Sequence, residues 1–229
     1  MKTSYAKKTK GTSKFTIVMT ILVVVALLTT LGFALAKQDV IAEMSYDDIP
    51  VIGSGTAPIK IVEVGDFKCP ACSYFATTIK PQLTADYIDS GDVDFYFASM
   101  PFIGPDSTTA AEAGMAIYNQ KPEEFWKFYD FIYSHQPDES EVWATPENLI
   151  SAANTAELDV DMGQLLKDIK GGTYADSVKA QNAWAKDNGV SSTPTLFING
   201  KKLVDGNNYE SVKEAIEEAK ADLKAGDAQ

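Results

Sequence analysis

Ile61-Val62-Glu63-Val64-Gly65-Asp66-Phe67-Lys68-Cys69-Pro70-Ala71-Cys72 is the stretch on which the fold turns. The β-branched run from Ile59 to Val64, bounded by Pro58 and Gly65, reads as a strand. From Cys69 to about Asp89 the apolar residues Phe75, Ile79, Leu83 and Tyr87 recur at helical spacing. A strand therefore runs directly into a helix, with a Cys-x-x-Cys pair at the junction. Pro81 lies inside that helix and is expected to kink it, because proline lacks the backbone donor and crowds the preceding turn.

Downstream, Val93 to Met100 is aromatic-rich and reads as a second strand, completing a right-handed βαβ unit. Five helices are expected next, over Thr108–Asn119, Glu123–His135, Pro146–Ala156, Met162–Ile169 and Tyr174–Asn188. Thr195 to Ile198 is again a strand, and Asn199-Gly200 is a strong hairpin signal, with Leu203-Val204 returning. Val212, Ala215, Ile216, Ala219 and Leu223 line one face of a closing helix. The order is βαβ, helices, then ββα. This is an α/β fold, a small mixed sheet over 58–225 interrupted by a helical insertion at about 105–189. Residues 37–57, with Pro50, Gly53 and Gly55, read as a tether with one short edge strand.

The 229 residues suit one domain plus an appendage. Residues 1–36 carry Lys2, Lys7, Lys8, Lys10 and Lys14 and no acidic residue, and Phe15 to Ala36 is uncharged and apolar. As a helix of 22 residues it reaches about 33 Å, enough to span a bilayer core. Lysines on its N-terminal side alone place 1–14 in the cytoplasm and the body outside. The span is expected to be a retained signal-anchor; Ala34-Leu35-Ala36 also fits a signal-peptidase site, which would secrete the body. The remaining 193 residues hold 15 lysines, no arginine and 32 carboxylates. Such a body excludes nucleic acid as a natural partner, since phosphate binding needs clustered cations.

A Cys-x-x-Cys pair has three possible uses. A structural zinc site needs four ligands, and this chain offers two cysteines and one histidine, His135. A structural disulfide closing so short a loop would stabilise little. Redox exchange fits the context: Cys69 opens a helix, where unpaired N–H groups and the helix dipole favour a thiolate. Cys72 lies one turn deeper. Cys69 is then the attacking sulfur and Cys72 the resolving one.

Asp48-Ile49-Pro50-Val51-Ile52-Gly53, the stretch Ile61 to Cys72, and Val190-Ser191-Ser192-Thr193-Pro194-Thr195-Leu196-Phe197-Ile198-Asn199-Gly200 together resemble the DsbA family of thioredoxin-fold oxidoreductases. The membrane-tethered members of Gram-positive bacteria are nearest in outline, and the resemblance covers roughly 45–225. It implies a thioredoxin-like fold and a cis peptide at Thr193–Pro194 facing the cysteines. It further implies a substrate-binding surface of Thr193, Pro194, Pro70 and Ala71, and a buried acid, Glu63, relaying a proton to or from Cys72. Partners would be folding exported proteins with cysteine pairs, and a membrane redox partner for reoxidation. No cofactor beyond the two sulfurs is expected.

Two departures stand out. Ala71 occupies a position where many relatives carry histidine, and Val93 to Met100 lacks the lysine that relatives often place near the buried acid. Both remove positive charge near the sulfur, so a weaker oxidant than the strongest family members is expected. His135 ends an aromatic helix, and its favourable place near the C-terminus needs no catalytic explanation. Asp138, Glu139 and Glu141 form an acidic loop expected to be solvated, without EF-hand spacing. The leading function is an oxidase of exported proteins. A reductase or isomerase of the same fold, or a non-catalytic tethered binding module, are the alternatives.

Overall fold

A computed structural model describes Met19, residues 46–203 and residues 205–226. The expected membrane span at 15–36 lies, Met19 apart, outside the described residues. Among those residues, no helix is long and apolar enough to cross a membrane. The chain divides into two units, Met1–Val40 and Ile41–Gln229, and the second is the one described below.

Five strands form one mixed sheet. β1 (Val51–Ile52), β2 (Ile59–Gly65), β3 (Val93–Ser99), β4 (Thr195–Ile198) and β5 (Lys201–Leu203) lie in the spatial order β1-β3-β2-β4-β5. β2 and β3 run parallel, with Glu63 opposite Phe97, while β1, β4 and β5 each pair antiparallel with their neighbours. The helices are α1 (70–88), α2 (Ser107–Gln120), α3 (Pro122–Ser134), α4 (Pro146–Thr155), α5 (Met162–Gly171), α6 (Ala175–Asp187) and α7 (Tyr209–Gly226). This is a thioredoxin-like arrangement, β2-α1-β3 and β4-β5-α7, with α2 to α6 inserted between its halves.

The sheet buries both faces, as its parallel centre requires. Alternation along β2 sends Ile59 and Ile61 into the larger core with Phe95, Phe97 and the aromatic face of α3; Val62 and Val64 enter a smaller one with Tyr96, Phe197 and Ala185 of α6. Glu63 has the parity of Ile61, so its carboxylate enters the larger, aromatic core. It is wholly buried there.

The five insertion helices lie within about two residues of their sequence-derived bounds, and two of them carry side-chain caps. Thr145 and Asp161 accept from the N–H three residues on, and Gly172 closes α5 in the left-handed conformation. The hairpin at Asn199-Gly200 has both residues at positive φ, as a tight primed turn demands.

Two expectations change. Pro81 does not simply bend α1. A π turn over Phe75–Ile79 precedes it, with Lys80 N–H reaching Phe75 O, so the widened turn takes up the missing donor. The returning strand at Leu203 is β5, and Val204 lies outside the described residues. On α7, Val212, Ile216 and Ala219 are buried but Leu223 is exposed, since the helix outruns the sheet it covers.

Candidate active site

Cys69 is the residue from which α1 starts, with extended backbone (φ −79°, ψ 120°) and Pro70 in the first helical turn. Its N–H bonds Asp66 O at 2.9 Å, and its own carbonyl accepts Ser73 N–H at 3.1 Å. Both cysteines are free thiols. Cys72 is wholly buried and Cys69 is only 5% exposed, less open than an attacking sulfur at a helix tip suggests. Pro70 is exposed and Ala71 half-buried at the rim.

The Thr193–Pro194 peptide is cis, and Cys69 Sγ contacts the Thr193 carbonyl at 3.3 Å. The helix start of α1 and the entry to β4 thus meet, although they are 124 residues apart in sequence. Thr193 Oγ1 is buried there without a hydrogen-bond partner.

The two sulfurs titrate in opposite directions. Cys69 is brought down to about 6, chiefly by hydrogen bonding with Cys72, then by Thr193 and the N–H groups of Cys72 and Ala71, against an opposing penalty of burial. Cys72 is pushed well up by burial, by its bond to Cys69 and by the nearby charges of Glu63 and Cys69. Glu63 is pushed up to about 8 by burial; the Tyr129 hydroxyl and the Lys80 ammonium pull the other way. Glu63 Oε2 accepts from Tyr129 at 2.6 Å, whereas Oε1 is buried without a partner. A carboxyl so placed is neutral at pH 7 and has a proton to exchange.

Lys80 answers one of the two departures. β3 brings no lysine, but Lys80 of α1, only 6% exposed, lies over the Tyr129 and Trp126 rings at 5.2 and 5.4 Å and pairs with Asp130 at 2.9 Å. The expected loss of charge beside the acid is therefore corrected: the cation comes from the helix. The position between the cysteines stays uncharged.

Several site residues had no signal in sequence. Asp66 is buried and accepts from Lys68 N, Phe102 N and Ile103 N. Lys68 turns away from the sulfur into an almost wholly buried pair with Asp106 at 2.5 Å and also donates to Glu141 O at 2.8 Å. A Cβ on Gly104 would lie 2.6 Å from Lys68 Nζ and crowd the pair. Tyr133 donates to Asp66 O, and Ser73 to Tyr133 O. A run of buried aromatics and a lysine next to a cysteine do not announce such bonds. His135 caps the end of α3, stacked on Phe131 at 4.3 Å. Among the described residues, no group of three His, Cys, Asp or Glu side chains could hold a metal ion.

A family model described as Thioredoxin matches residues 46–218. The chain is 38% identical over 182 residues to the probable disulfide bond formation protein D of Bacillus cereus, covering 79% of this chain and 83% of that one. The chain belongs to the DsbA family of thioredoxin-fold oxidoreductases. Disulfide bond formation protein D of Bacillus subtilis is 33% identical over 168 residues, covering 73% of this chain and 75% of the relative. The crystal structure of oxidised BdbD from B. subtilis superposes with a TM-score of 0.74 at 32% identity, covering 79% of this chain and 97% of that one. DsbA of Chlamydia trachomatis, at 22% identity and a TM-score of 0.70 over 81% of this chain and 97% of its own, shares the fold. The protein is a protein disulfide oxidoreductase.

Proposed function

We propose that this chain is an extracytoplasmic thiol–disulfide oxidase that introduces disulfides into exported proteins through Cys69-Pro70-Ala71-Cys72. The inequality of the two sulfurs carries the reading: Cys69 sits near 6 at the start of α1, and Cys72 is raised and wholly buried. A stabilised thiolate favours the dithiol, so the disulfide is a ready acceptor of electrons.

A substrate thiolate attacks Cys69 of the disulfide, the S–S bond breaks, and Cys72 leaves, taking a proton from neutral Glu63. A second substrate thiolate then attacks the substrate sulfur of the mixed disulfide. Cys69 departs as a stable thiolate, leaving the substrate oxidised and the enzyme reduced by two electrons. The cis Thr193–Pro194 edge would pair with the extended substrate chain. Reoxidation needs a partner that accepts those electrons. The relatives are named for disulfide bond formation, which supports the oxidising direction. The cationic start and apolar span of residues 1–36 support anchorage to the membrane with the body outside.

The test uses reduced, unfolded ribonuclease. The oxidised protein should restore its activity, and Cys72→Ser should accumulate mixed disulfides on non-reducing gels. Recovery unchanged by Cys69→Ser would instead mark a binding module. In intact cells, an impermeant thiol reagent should label Cys69; protection until lysis would place the body inside.

A further inference from the structure

The loop joining α3 to α4 grips the active-site turn from outside the thioredoxin half of the fold. Gln136, just past the end of α3 and half-buried, points both hydrogens of its amide at that turn: Nε2 donates to Phe67 O at 2.8 Å and to Cys69 O at 3.1 Å. The same loop gives Glu141 O to Lys68 Nζ, and the N–H groups of Trp143 and Ala144 to Asp106. We propose that Gln136 is a positioning residue for the reactive sulfur: its bidentate amide fixes the Phe67–Lys68 and Cys69–Pro70 peptide units, and thereby the direction of Cys69 Sγ.

The peptide chemistry explains why one side chain suffices. The Phe67–Lys68 peptide is held at both ends, its N–H by Asp66 Oδ1 and its C=O by Gln136. The Cys69–Pro70 peptide has no N–H, since the next residue is proline. Its carbonyl is the only polar handle on it. Ser73 N–H takes one lone pair along the axis of α1, and Gln136 takes the other from the side. Between them lies the Lys68–Cys69 peptide, whose N–H is held by Asp66 O, so the backbone on either side of the Cys69 Cα is fixed. Holding them fixes how the sulfur meets the N–H groups of Ala71 and Cys72 and the Thr193 carbonyl. The groups facing the sulfur are Cys72 from α1, Thr193 ahead of β4 and the Glu63 carboxyl from β2; the Lys68 cation is turned away to Asp106. Gln136 touches the sulfur through none of them. It acts through the backbone.

This inference rests on Cys69 being the reactive thiolate, and one experiment separates the two claims. Full-length protein in detergent, wild type and Gln136→Met, is equilibrated with glutathione at pH 7, where protein dithiol plus glutathione disulfide gives protein disulfide plus two glutathione molecules. The Cys69 thiolate is titrated alongside by its ultraviolet absorbance. Methionine keeps the length and removes both donors. The expected result is a Cys69 midpoint raised by up to about one pH unit. Such a rise moves the equilibrium about fivefold toward the disulfide at pH 7. Gln136→Glu, whose carboxylate cannot donate to either carbonyl, should move both further in the same direction. Thermal unfolding of the oxidised form verifies that each variant is folded. A folded Gln136→Met with the wild-type midpoint and equilibrium overturns the positioning role alone. A wild-type midpoint near that of an ordinary thiol overturns the reading of Cys69 itself.

Discussion

Tyr129 donates its hydroxyl to Glu63 Oε2 at 2.6 Å, and neither side chain is exposed to solvent. α3 belongs to the helical insertion and β2 to the thioredoxin half, so the acid beneath the cysteines is tuned by a residue outside the core motif. The bond favours the ionised carboxyl, and Tyr129 itself is pushed well above the ordinary phenol range by burial and by Glu63. It therefore stays protonated and remains a donor. Tyr129→Phe should raise the Glu63 titration further above 8, measured by carboxyl NMR. A fall or no change would show that burial alone sets it.

Glu63 also makes stability depend on pH. Its folded value, near 8, lies above the ordinary 4.5, so between those values the native state holds a proton that the unfolded state has lost. Stability then falls as pH rises from about 4.5 to about 8 and levels off above. At about 1.4 kcal/mol per unit, the penalty at pH 7 is of order 3 kcal/mol. Glu63→Gln should flatten this dependence in urea unfolding of the oxidised protein between pH 5 and 8. An unaltered slope would remove Glu63 as its source.

Cys69 has the opposite sign in the reduced protein. With a folded value of about 6 against an ordinary 9.0, its contribution grows as pH rises from about 6 to 9, is complete above 9, and is lost as pH falls through about 6. The oxidised protein lacks this contribution, so the stability gap between the forms should widen in favour of the dithiol over that window. Paired thermal melts of the two forms would read it directly.

The uncharged Ala71 and a Cys69 near 6 place the protein between the extremes of its fold. Its potential is expected between about −270 and −120 mV, the values of thioredoxin and DsbA. Glutathione equilibration decides, and a value at or above about −120 mV contradicts it. Lys80→Met removes the helix-borne cation from beside Tyr129 and should raise the Glu63 titration, leaving the uncharged Cys-x-x-Cys dipeptide as before.

Breaking the buried Lys68–Asp106 pair is expected to be severe. Lys68→Met strands a carboxylate that still holds the N–H groups of Trp143 and Ala144. The loss should be about 3–5 kcal/mol in urea unfolding, because an uncompensated buried charge remains. A loss below about 1 kcal/mol would mean that the pair is solvated in solution.

What the sequence determined by itself is local in origin. The strand from Ile59, the helix after Cys69, the insertion helices and the Asn199-Gly200 turn are each written in a few neighbouring residues, through β-branching, period and turn chemistry. The nearest neighbours of Cys69 also marked it as the first residue of a helix. Only the tertiary structure decided which distant groups complete the site. Thr193 reaches the sulfur through β4, Tyr129 and Lys80 reach Glu63 through α3 and the widened turn of α1, and Lys68 finds Asp106 across the insertion. The physical reason is that burial decides their chemistry. In water Glu63, Lys68 and Cys72 would be an ordinary acid, cation and thiol. A shared low-dielectric core, assembled from segments up to 124 residues apart, makes the first a proton store, the second half of a fixed ion pair and the third a reluctant thiolate.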